Sequence, residues 1–75
     1  MRTIHLQGLG EVDAVPVEVL TPGTLLAWNS SYGEYEVVGV EQVSAKFVAL
    51  TERSVKTGEV FTRRMKIGRL VAVAN

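Results

Sequence analysis

Cysteine is absent from this 75-residue chain, and histidine and tryptophan occur once each. Without cysteine, neither disulfides nor thiolate metal sites can staple the fold, so packing, helped by any self-association, must hold it together. His5 has no second histidine and no cysteine to work with, and a lone histidine is more often an ordinary surface residue than a ligand or base. There is no glycine-rich phosphate loop and no ligand set at metal spacing. The expectation is therefore a non-enzyme with no catalytic residue, no metal and no cofactor. Long apolar runs are missing too. The longest, LVAVA at 70–74, falls far short of the roughly 20 residues needed to span a bilayer. Arg2 is followed by no signal-like apolar stretch, and Glu11 and Asp13 arrive early. A soluble, cytoplasmic protein with no membrane contact is expected.

What the chain does contain is strand-forming sequence. With 47% hydrophobic and 21% charged residues it is apolar enough to fold. Residues 1–75 are read as one small domain, burying about 60 to 65% of the surface of the unfolded chain. The longest strand-favouring run, EYEVVGVEQVSAKFVALT at 34–51, reads as a β-hairpin. Two strands alone are unstable in water, so the flanking segments must wrap onto it.

In chain order, 2–6 alternate, with Ile4 and Leu6 opposite Thr3 and His5, and 7–10 read as a turn. Residues 12–20 contain Pro16, which has no amide to donate, and so predict an edge strand or a single helical turn. Thr21-Pro22-Gly23-Thr24 is a type II turn signal, 24–29 the next strand, and 30–33 a loop. Within the hairpin Tyr35 and Val37 share one side and Val38 and Val40 the other. Gly39 at this change of phase predicts a β-bulge, and the hairpin turn falls within 42–45. Residues 53–58 form a polar loop, and 59–66 a strand with Phe61 and Met65 opposite Val60, Thr62, Arg64 and Lys66. Arg63 falls on the apolar side: either a bulge moves it outward, or it sits at the rim with a packed stem and a wet guanidinium. Residues 67–69 turn around Gly68, and 70–73 form a last strand. The sum is all-β: five to six short antiparallel strands in a small, strongly bent barrel, with at most one helical turn.

Net charge is zero but unevenly spread. Residues 1–45 carry six acids and one base, and 46–75 carry seven bases and two acids. Pairing of the two halves in a sheet, with Glu34, Glu36 and Glu41 across from bases, is the simplest reading.

Two surfaces are candidates for function. Trp28, Tyr32 and Tyr35 cluster around one strand end beside Glu34 and Glu36, a composition suited to extended peptides and cationic side chains of a partner protein. Tyr32 is expected to be exposed, and Trp28 to fill core. Alternatively Lys46, Arg53, Arg63, Arg64, Lys66 and Arg69 form a basic stripe that contacts nucleic-acid phosphates, though zero net charge and a pI near 6.6 weigh against a dedicated binder. A third possibility is a homo-oligomer, in which acidic and basic halves, or unpaired strand edges, of different copies meet.

The succession V-P-x-x-x-L at 15–20, P-G-T-L-L-x-W-N at 22–29, a valine-rich hairpin, T-G-x-x-x-x-R-R at 57–64 and R-L-V-A-V at 69–73 resembles a group of very small proteins encoded by actinobacterial phages. The strand layout is similar to SH3-like barrels. The resemblance implies a phage accessory protein that acts in the host cytoplasm, with a host protein as partner. It implies no active-site residues.

Overall fold

In a computed structural model, which describes residues 2–29 and 31–74, the chain forms seven strands and one short 3-10 turn. These are β1 (Arg2–Leu6), β2 (Gly10–Pro16), the turn Val17–Val19, β3 (Leu25–Trp28), β4 (Ser31–Gln42), β5 (Phe47–Ser54), β6 (Val60–Lys66) and β7 (Leu70–Ala74). All pairings are antiparallel, in a single sheet of order β1-β2-β7-β3-β4-β5-β6.

The all-β expectation holds, whereas the strand count and closure differ. Seven strands form because 12–20 is not a choice between strand and helical turn. It supplies both, with β2 ending at Pro16 and the 3-10 turn following at once. β2 is also not an edge, since it lies between β1 and β7. Pro16 is tolerated because its described pairing is with Leu70 alone, at the end of the ladder. Among the described residues β1 and β6 do not pair with each other, so the sheet stays open.

Alternation builds the core. Leu26 of β3, Val37 of β4, Val48 and Leu50 of β5, Met65 of β6, and Val71 and Val73 of β7 turn to one face, where Val17 of the 3-10 turn and Leu20 just after it join them. The turn at 21–24 forms as read: Gly23 has φ +92°, and Thr24 N–H donates to the Thr21 carbonyl at 3.2 Å. It is stitched to β4 by Gly23 N–H to Val37 O at 2.9 Å and Val37 N–H to Thr24 O at 2.8 Å.

Two irregularities bend β4. Opposite β5, Val37 pairs with Glu52 and Gly39 with Thr51, leaving Val38 as the extra, exposed residue. Opposite β3, Leu26 pairs with Tyr35 but Ala27 with Tyr32, so Gly33 and Glu34 bulge out, with Gly33 at φ +77°. The expected loop at 30–33 is therefore mostly strand. Trp28 pairs with Ser31, and Asn29 has φ 48°, while Ser30 lies outside the described residues. The hairpin loop runs one residue later than read, 43–46, and β5 extends to Ser54, two residues into the expected polar loop.

Candidate functional sites

The inner face of β3 to β6 carries a charged group that alternation alone would fill with an apolar side chain. Glu52 follows Val48 and Leu50 in the inward positions of β5 and is 0% exposed. Its Oε1 accepts a hydrogen bond from Trp28 Nε1 at 2.9 Å. Its Oε2 lies 2.7 Å from Arg63 Nε, an ion pair whose alignment falls short of a hydrogen bond. The Arg63 guanidinium carbon sits 4.4 Å from the centre of the Trp28 ring. Phe61 is in register with Glu52 on β6, and its ring meets Tyr35 edge-on, centroids 5.6 Å apart and planes at 69°. The β5–β6 register is unbroken, so Arg63 reaches the rim without a bulge, its side chain 44% exposed.

This arrangement divides the aromatic and acidic residues expected to form one patch. Trp28 and Tyr35 are partly buried and pack against the core. Tyr32 is 51% exposed. Glu36 is in register with Arg53 and forms an ion pair with it. Glu34 accepts a hydrogen bond from Ser31 Oγ and lies 3.3 Å from Lys56 Nζ. The Ser31 hydroxyl first, and then Lys56, hold the Glu34 carboxyl below its ordinary pKa. The acids of this region are thus engaged by the chain's own donors and bases. Glu41, by contrast, lies opposite Ala49.

The basic stripe is divided as well. Arg53 and Arg63 are paired with Glu36 and Glu52, and Arg69 sits at the β6–β7 turn, where its carbonyl accepts from Val17 N–H at 2.9 Å. Arg64 and Lys66 gather around Phe47, which Lys46 immediately precedes in the chain. Lys66 is in register with Phe47, and the Arg64 guanidinium carbon lies 4.4 Å from its ring centre. None of the ion pairs among the described residues involves these three bases.

A further feature carried no signal in the sequence. Where the 3-10 turn leaves β2, a cleft of about 260 Å3 opens, lined by Ala14, Val15, Val19, Leu20 and Val73, with Asp13 and Thr24. Val19 is 56% exposed beside it. Among the described residues, the half-buried Asp13 carboxylate has no hydrogen-bond or ion-pair partner. Only folding brings β2, β7 and the turn together, so linear spacing could not reveal it.

Among the described residues no group of three or more His, Cys, Asp or Glu converges as a metal ligand set, and no helix is long and apolar enough to cross a membrane. Comparisons with protein-family models, with curated proteins and with solved structures gave no match.

Proposed function

We propose that the chain is a small non-catalytic module that docks on another protein, through the cleft beside the 3-10 turn. The observation that carries this reading is the pairing of an apolar hollow with an unpartnered, half-buried carboxylate at Asp13. The occupant this fits is an apolar side chain of a partner protein with a lysine or arginine next to it. The apolar group gains from leaving water, and the base compensates Asp13 and sets the orientation. On the resemblance described above, the setting is a phage accessory protein in the cytoplasm of an actinobacterial host, the partner is a host protein, and the bent sheet is an opened relative of small SH3-like barrels.

The test is affinity capture from host lysate after nuclease treatment, comparing the wild type with Val19→Glu and Asp13→Lys. Val19 is exposed, so its replacement should leave the melting temperature nearly unchanged. One stoichiometric host protein, lost with either variant, is the expected result. A protein retained equally by both variants removes the cleft as the docking surface.

A second reading is favoured by one specific observation: Arg64 and Lys66 converge on Phe47, next to Lys46 in the chain, and none of the ion pairs among the described residues engages these bases. Such a face suits a nucleic-acid backbone. Fluorescence polarisation with labelled single- and double-stranded DNA across a salt series tests it. Replacing Arg64 and Lys66 by alanine should weaken binding and flatten the dependence of log K on log salt by about 0.7 to 0.9 for each phosphate contact removed. An unchanged slope excludes this face.

A further inference from the structure

We infer that the cluster of side chains around Glu52 is a guanidinium site, filled in the resting fold by the chain's own Arg63, and that it takes the arginine side chain of another molecule in its place. This inference stands apart from the docking cleft, which lies on other elements.

Three observations carry it. A carboxylate that is 0% exposed is costly unless fully paired, yet Oε2 is the buried side-chain oxygen left without a hydrogen bond among the described residues. Arg63 neutralises it through Nε at 2.7 Å, although a guanidinium carries five donors and matches a carboxylate best through two of them. The acceptor capacity of Glu52 is thus only partly used. Second, the chemistry around the carboxylate is selective. The Trp28 indole fixes Oε1 with its N–H while its ring face lies against the guanidinium, and Phe61 stands across from Glu52 with Tyr35 against it. A flat aromatic face next to a carboxylate favours a planar, weakly hydrated cation over an ammonium. Third, the site is reachable. Arg63 is 44% exposed and belongs to β6, the last strand of the sheet, beyond which no described strand lies.

The ligand class is an alkyl guanidinium. Displacement of Arg63 breaks no covalent bond and needs only rotation of its side chain toward solvent. An entering arginine would meet the Trp28 face and Glu52 Oε2 unconstrained by the β6 backbone.

The experiment uses Trp28, the single tryptophan, as its reporter. Arg63→Ala is titrated with methylguanidinium, with methylammonium and sodium chloride at equal ionic strength as controls, following fluorescence and melting temperature. The expected result is a saturable Trp28 response and a rise in melting temperature with methylguanidinium, roughly tenfold weaker with methylammonium. Both should be absent from the Arg63→Ala, Glu52→Gln double variant. If Arg63→Ala does not fold alone, methylguanidinium should restore its β-sheet circular dichroism. The wild type, in which Arg63 competes from within the chain, should respond to a Gly-Arg-Gly peptide and not to Gly-Lys-Gly. No response of Arg63→Ala beyond the salt control, or an equal response of the double variant, overturns the guanidinium site. A wild type indifferent to the arginine peptide, at about a hundred times the concentration that saturates the variant, overturns the exchange.

Discussion

Glu52 occupies a position where leucine or valine would satisfy the local pattern, so its consequences differ according to which partner is removed. Replacing Arg63 alone by alanine leaves the carboxylate without its counter-charge. Because solvent reaches the guanidinium, the expected loss is about 2 to 3 kcal/mol, at or below the low end for a fully buried pair. Removing both charges, as Glu52→Leu with Arg63→Met, should recover most of that stability, since well-packed apolar substitutes often match a buried ion pair. Urea denaturation of the three proteins checks this, and a double variant less stable than Arg63→Ala would overturn it. Glu34 offers a separate test by titration. Its pKa is depressed in the fold, so its favourable contribution is present above the ordinary carboxylate value and fades as pH falls through the lower, folded one. Ser31→Ala should raise that midpoint toward the ordinary value in an NMR titration; an unmoved midpoint would clear the hydroxyl of the effect. Part of this was readable beforehand. Arg63 in an inward phase was visible, and Glu52, two residues beyond Leu50, carried the same signal of a charge out of place. What alternation could not convey was that these two oddities answer one another across neighbouring strands.

Among the elements, β4 shows how a correct reading can rest on the wrong residue. The change of hydrophobic phase near Gly39 does mark a bulge, but Val38 is the extra residue and Gly39 keeps a φ that any residue can adopt. Nothing lies within 4 Å of a Cβ built at Gly39, so Gly39→Ala should shift stability by less than about 0.5 kcal/mol. Gly23 is the opposite case. Its φ of +92° is foreign to L side chains, so Gly23→Ala should lose about 1 kcal/mol or more despite open space around it. Thermal melts of the two variants decide whether backbone angle or available space governs these positions. The Thr-Pro-Gly-Thr turn was legible because its chemistry is local. The second bulge, at Gly33 and Glu34, was not, because it exists only through the register that β3 imposes on β4. The role of 12–20 was half legible: proline announced an interruption, but whether strand or turn came first depended on β7 arriving to pair with Val15.

For the whole molecule, the separation of charge along the chain survives in part as separation across the sheet. Glu11 and Asp13 lie on β2, next to one end, whereas Arg64 and Lys66 lie on β6 at the other. Both terminal strands also present one unpaired edge among the described residues. Copies of the chain are therefore expected to associate end to end at low ionic strength and to separate as salt rises. Sedimentation velocity across a salt series reads this directly, and a single monomeric species at every salt concentration would exclude it. The place of β7 has a temporal consequence. Leu70–Ala74 lies between β2 and β3 and is the strand that joins the β1–β2 hairpin to the β3–β6 meander. On a ribosome these two pieces emerge first, and Val17 and Leu20 between them cover part of the meander's apolar face. Until residue 74 has cleared the exit tunnel, the two sheets touch through the 3-10 turn, while the strand that joins them edge to edge is still to be made.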